Sequence, residues 1–326
     1  MHPSAKSILL ASYDPAWILP PLRSRNEIEM EQLPKSFFRA EKRLSDLTKS
    51  TDLFISPYPK LPLFGVHCRA IHFIHDVLDV THPLYRRRPK LLFDRYRVRK
   101  ALRRADITWY DSSWSLQETQ KHFSLCGRNP VVRHLGIDER FRPQQEKGEE
   151  SILESYGLRE GYILALGNGL PHKNLGVLLQ IEQQMTRRIV LVGASDANRQ
   201  YWTSRHPAGR SVWIRHADER DLPALLRGAF CLVQPSLIEG YGYPPLEAMA
   251  CGTPAIISSI PVLVETTGGN AMTADANDEK AWMRALKALE DPVTYRGKVQ
   301  GGLEWVEPLR GPKGWSFHLQ DIERLF

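Results

Sequence analysis

From residue 160 onward the chain alternates short apolar runs with longer amphipathic stretches. The runs at Tyr162–Leu166, Ile189–Val192, Val212–Ile214 and 229–233 carry few charges, which predicts strands buried on both faces of a parallel sheet. Between them, 175–185 and 222–227 repeat apolar residues at helical spacing. Residues 255–257 predict a further strand, and 278–289, with Ala281, Trp282, Ala285, Leu286 and Leu289 on one face, a further helix. This rhythm is that of a doubly wound α/β sheet. The first 142 residues mix strand and helix patterns, with 71–74 as a buried strand and 27–48 as a helix broken near Pro34. The charged stretch PQQEKGEESILESYG has the composition of a linker running into a new helix. It places a boundary at 143–151, between a domain of residues 1–143 and one of residues 151–304, followed by an amphipathic segment at 315–326.

Length and composition agree with two domains: 326 residues, 42% of them hydrophobic, fill two cores. No apolar run reaches the roughly 18 residues of a membrane-spanning helix, and the amino end has too short an apolar core for a secretion signal. A cytoplasmic protein is expected. Cys68, Cys126, Cys231 and Cys251 lack the spacing of a zinc site or a disulfide framework and are expected to be buried thiols. No repeat of fixed period occurs.

Candidate chemistry concentrates in 234–254, QPSLIEGYGYPPLEAMACGTP, where Glu239 and Glu247 flank a glycine-containing turn. Pro244 and Pro245 suit the first turn of a helix, and Gly252 and Pro254 its end. Ligands of open parallel sheets bind beyond the carboxyl ends of strands, where helix amides attract phosphate. Here Tyr241, Gly242 and Tyr243 would present those amides, and the two glutamates would accept hydrogen bonds from sugar hydroxyls. Either glutamate alone equally fits a solvated loop or a favourable place in the helix field. A second loop, GNGLPHKNL, carries His172 and Lys173 just ahead of a helix, where a lysine is electrostatically misplaced unless an anion joins it. A diphosphate would supply that anion.

The string EGYGYPPLEAMACGTP resembles the signature of retaining family 4 glycosyltransferases, in which two glutamates are separated by seven residues. The flanking residues 219–259 are similar to that family's donor domain, and YILALGNGLPHKNL to its other nucleotide-binding loop, so that the resemblance spans roughly half the chain. AIHFIHDVLDVTHPLYRRRP resembles the strand and loop in which the family carries a histidine and an aspartate facing the reaction, matched here by His75 and Asp76. The resemblance implies a GT-B fold: two Rossmann-like domains facing across a cleft, the donor domain carboxyl-terminal, and a last helix crossing back to the first domain. It implies transfer of a sugar, mannose among the candidates, from a GDP- or UDP-sugar to a hydroxyl of a glycan or lipid-linked acceptor, with retention, in cell-surface polysaccharide or glycolipid synthesis. Glu239 would then hold the sugar, Glu247 the ribose and Lys173 the diphosphate, with Asn168, Arg215 and the 241–243 turn completing the donor site. Asn168 stands where several members place a phosphate-binding arginine, and no glycine precedes Gly65, where the family carries a glycine-rich turn. The chain has no Asp-x-Asp triplet, so neither a metal nor a cofactor beyond the donor is expected.

Residues 86–104 hold ten lysines and arginines against one acid, more than the whole net charge of +7. With apolar residues interleaved they predict a basic amphipathic helix, suited to an anionic membrane on the inner face of the cytoplasmic membrane. Nucleic acid is disfavoured because no nucleic-acid motif accompanies the block. The histidines 67, 72, 75 and 82 fit no metal-ligand spacing. A donor-binding partner without activity and a GT-B sugar-nucleotide epimerase are the competing functions.

Overall fold

Parallel strand pairing organises both halves of the chain. The computed structural model describes residues 8–12, 28–82, 89–206 and 209–326. It divides into two units, Met1–Arg133 with Ser316–Phe326, and His134–Trp315.

In the first unit, β1 (Ile8–Ser12) pairs with β2 (Ile28–Gln32). A separate four-stranded parallel sheet has the order β3 (Leu53–Ser56), β4 (Arg69–Ile74), β5 (Ile107–Tyr110), β6 (Pro130–Val132). The helix expected over 27–48 is corrected: its first part is β2, and the helix is Phe37–Leu47. Residues 28–31, Ile-Glu-Met-Glu, alternate with the period of a strand, and the helix begins only beyond Pro34. Val98, Ala101 and Leu102 of the helix Leu91–Arg104 are buried, and two of them share a core with Ile74, Tyr110 and Phe123. Glu41 is buried too, accepting from Arg97 Nη2 at 2.6 Å and from the Leu63 amide at 2.7 Å. The helix Ser316–Glu323 belongs to this unit. Its buried Asp321 accepts from Trp109 Nε1 at 3.0 Å and from Arg133 Nε and Nη2 at 2.9 Å each, a charge-assisted fork of the strong kind.

The second unit is a six-stranded parallel sheet. Its strands are β7 (Tyr162–Leu166), β8 (Ile189–Val192), β9 (Val212–Ile214), β10 (Ala229–Gln234), β11 (Ala255–Ser258) and β12 (Met272–Ala274). They lie in the order β12-β11-β10-β7-β8-β9, the doubly wound dinucleotide-binding order, whose direction of winding reverses between β7 and β10. Ile163, Leu178, Ile181, Ile189, Leu191, Trp282 and Leu289 make the core between sheet and helices. Residues 134–142 are tied to this unit: the Ile137 amide donates to Leu309 O and the Gly311 amide to Ile137 O, both at 2.8 Å. The division therefore falls ahead of 143–151, a stretch that leads into the helix Glu149–Ser155, whose Glu149 pairs with Arg227. Cys231 and Cys251 are buried, whereas Cys68 and Cys126 are half-buried.

Candidate active site

The reversal between β7 and β10 brings two loops together at the carboxyl ends of adjacent strands. After β7, Gly167 to Gly169 lead into a 3-10 turn, Pro171–Lys173, and then the helix Leu175–Ile181. After β10, residues 235–242 lead to the helix Tyr243–Ala250. The Leu237 amide donates to His172 O at 2.8 Å and joins the loops. Lys173 Nζ then reaches both oxygens of Glu239, at 2.7 and 3.0 Å. The anion expected beside Lys173 is thus present before any ligand, as the carboxylate of Glu239. Glu239 is buried, and its Oε1 also accepts from Gln234 Nε2 at 2.7 Å and Ser236 Oγ at 2.5 Å.

Glu247 has a different environment. It sits in the second turn of its helix, half-buried, and accepts no side-chain hydrogen bond among the described residues. Burial raises its pKa to about 7 despite the nearby Arg140 guanidinium, and the Asp138 and Glu219 carboxylates act in the same direction as burial. Gly242 caps the helix at φ +94°, and a Cβ there would overlap Leu263 Cδ2. The glycine is therefore needed for its left-handed backbone and for close packing on Leu263. Pro244 and Pro245 have no N–H, so the amides of this turn are those of Tyr241, Gly242 and Tyr243. The Tyr241 side chain is buried and its Oη accepts from the Leu135 amide at 3.1 Å, while its ring meets Tyr243 edge-to-face. Asn168 turns onto its own loop, Oδ1 accepting from the Leu170 amide at 3.1 Å. Arg215, at the end of β9, is exposed and bridges Asp196 at 3.1 Å.

In the first unit, His75 directly follows β4. Its Nδ1 lies 2.5 Å from Asp111 Oδ2 and its Nε2 3.0 Å from Pro57 O. The Asp111 hydrogen bond raises the pKa of His75, against the effect of burial. Asp76 does not join this pair; its Oδ1 accepts from the Leu78 amide at 2.8 Å, and burial raises its pKa. His72 is fully buried, bonded through Nε2 to Thr108 Oγ1 at 2.9 Å, and burial lowers its pKa to about 3, which keeps it neutral. No group of histidine, cysteine and carboxylate side chains among the described residues is arranged to hold a metal ion.

The family model for glycosyl transferases group 1 matches residues 160–291. The second unit carries a group 1 glycosyl transferase domain. The chain is 29% identical over 249 residues to an O-antigen chain mannosyltransferase B of Escherichia coli, covering 71% of this chain and 65% of that protein. It is 33% identical over 138 residues to the O-antigen chain mannosyltransferase RfbU of Salmonella typhimurium, covering 40% and 39%. The chain thus spans less than two thirds of the length of these curated relatives. Among solved structures, sucrose-phosphate synthase from Thermosynechococcus elongatus aligns with a TM-score of 0.73 at 18% identity, over 92% of this chain and 84% of that one. The fold is GT-B, with two Rossmann-like units.

Within the second unit, the donor-side loops expected from sequence meet at Lys173 and Glu239; Gln234 and Ser236, which bond Glu239, and Arg140, near Glu247, were given no role by the sequence. The basic helix expected in the first unit is present in part. It exists, as Leu91–Arg104, but much of its charge is spent inside the unit. Arg95 donates to Val80 O and His122 O, Arg97 to Glu41 and Leu61 O, Lys100 to Leu63 O, and Arg104 to Val66 O and Cys68 O. Its exposed stripe is Leu92, Tyr96, Arg99 and Arg103, apolar at one end and basic at the other. Residues 86–88 lie outside the described residues. No helix among the described residues is long and apolar enough to cross a membrane.

Proposed function

We propose that the chain is a retaining glycosyltransferase that moves a mannosyl group from a nucleotide-diphosphate sugar to a hydroxyl of a glycan or lipid-linked acceptor in cell-surface polysaccharide synthesis. The observation that carries this reading is the meeting of Lys173 and Glu239 at the reversal point of the sheet, where two strand-to-helix loops converge. The similarity to O-antigen mannosyltransferases supports mannose as the sugar and a surface polysaccharide as the product.

On this reading the donor's diphosphate takes over Lys173, and Glu239, held by Gln234 and Ser236, turns its freed accepting capacity to sugar hydroxyls. Lys173 and the amides of 241–243 stabilise charge developing on the departing diphosphate. Glu247, as the carboxylate, accepts from the ribose hydroxyls. No carboxylate is assigned as a nucleophile, so the donor's own phosphate oxygen takes the acceptor proton during a front-face displacement. The chemistry needs no metal and no cofactor besides the donor. Acceptor transfer takes place at the cytoplasmic face of a membrane, which the Leu92 and Tyr96 stripe and its flanking arginines meet.

A thermal-shift panel of GDP, UDP, ADP and dTDP and their sugars tests the donor side, since a ligand that binds only the folded state raises its melting temperature. GDP-mannose is expected to stabilise and to be consumed in the presence of EDTA, with an α-linked product by NMR. Stabilisation by no nucleotide would overturn the reading. Donor binding with no cleavage in the presence of lipid-linked and soluble glycan acceptors would replace it with that of a non-catalytic partner.

A further inference from the structure

We infer, on the reading of His75 as a reaction-facing residue, that Asp111 is its positioning residue, fixing the ring so that the Nε2–H is the group offered to substrate. Asp111 follows the fully buried strand β5, and its own side chain is 1% exposed. Its Oδ2 stands 2.5 Å from His75 Nδ1. Ser115, in the first turn of the following helix Ser113–Phe123, donates from Oγ to the His75 carbonyl at 2.7 Å. One strand-to-helix junction thus grips both the ring and the backbone of the histidine. Phe73 stacks on the imidazole at 5.7 Å, and Phe73 in turn packs on Trp109 at 4.8 Å and on His318 of the last helix at 5.8 Å.

With Nδ1 committed to Asp111, only Nε2 can serve a ligand, and in this structure it faces Pro57 O. The charged groups around the ring are Asp111 and Asp76, both acidic, the second occupied with the Leu78 amide. Both ring nitrogens face acceptors, the Asp111 carboxylate and the Pro57 carbonyl, an arrangement that only the doubly protonated ring satisfies. His75 is then a hydrogen-bond donor to a hydroxyl or oxyanion, and a poor acceptor for the proton that the nucleophilic hydroxyl must lose. Substrate would displace Pro57 O from Nε2.

Nitrogen-15 NMR of the histidine-labelled full chain tests this without reliance on turnover, the His75 signals being assigned with His75→Gln. Both ring nitrogens of His75 are expected to carry protons at pH 7, and Asp111→Asn to lower the His75 pKa by about 1 or more. With the nucleotide sugar chosen by thermal shift, Asp111→Asn is expected to lower kcat about tenfold or more with KM held within about threefold, and Asp111→Glu to recover part of the loss. An unprotonated Nδ1 or Nε2 in the wild-type protein at pH 7 would overturn the inference, whether or not the variant folds. So would a folded Asp111→Asn protein with an unaltered His75 titration. The expected titration together with a complete absence of donor cleavage would count against glycosyl transfer and not against the pairing.

Discussion

Two glutamates separated by seven residues in one loop and helix have opposite surroundings: Glu239 accepts four hydrogen bonds from three side chains, and Glu247 none among the described residues. The raised pKa of Glu247 means that the folded protein holds this proton more tightly than the unfolded chain. Its contribution to stability is therefore fully present below the unfolded pKa of 4.5 and is lost as pH rises through about 7. Glu247→Gln is expected to remove this slope and to stabilise the unliganded protein at pH 8 by on the order of 2 kcal/mol, measured by urea unfolding. Nucleotide binding should have the opposite dependence, strengthening from pH 6 to pH 8 in the wild type because ribose hydroxyls need the carboxylate. An affinity flat across that range, by calorimetry, would show that Glu247 does not touch the nucleotide. For the other glutamate, Lys173→Ala strands a buried carboxylate with neutral donors and is expected to cost about 2 to 3 kcal/mol of stability. Combining it with Glu239→Gln should cost less than the sum of the two single changes, a coupling that a double-mutant cycle reads directly.

The helix Tyr243–Ala250 shows how far an element is legible in advance. Pro244, Pro245 and Gly252 mark its ends in the sequence, and the structure puts its first residue at Tyr243, behind Gly242 at φ +94°. What the sequence leaves out is the neighbour: Leu263, from another helix, fills the space where a Cβ would go. Gly242→Ala is expected to destabilise by about 2 kcal/mol or more, from backbone strain and overpacking together. Leu263→Ala in the same chain should relieve the overlap but not the strain, so that denaturant curves show a partial rescue. The same limit explains the other differences. Five of the six strands of the second unit are apolar runs bounded by turns and can be read locally, whereas β12 has only three residues, and Ile28–Gln32 is five residues long with its alternation overridden by a longer helical pattern around it. Asp111 meets His75 across 36 residues of chain, a contact set by the pairing of β4 with β5 rather than by local spacing. The use made of the basic helix is non-local for a related reason: charge counts do not reveal that Arg95, Arg97, Lys100 and Arg104 bond carbonyls and a carboxylate of their own unit.

At the scale of the whole molecule, the helix Ser316–Glu323 is held to the first unit through Asp321. Asp321→Ala leaves the Arg133 guanidinium and the Trp109 indole without their acceptor, and is expected to cost about 3 kcal/mol and to alter the fluorescence of Trp109. Nucleotide-dependent stabilisation of the second unit should persist in this variant; its loss would show that the two units do not unfold separately. The first unit begins before residue 134 and is completed after residue 315, so the second unit is an insertion within it. Synthesis on the ribosome gives that arrangement a direction in time. Residues up to 133 emerge first but lack the helix that caps β5 and β6 until Asp321 has cleared the exit tunnel, whereas 134–315 are contiguous and can finish while their host waits. The inner unit can therefore mature before the outer one, and a tethered nascent chain whose residue 315 has just left the tunnel would pair a folded second unit with an unfinished, chaperone-dependent first unit.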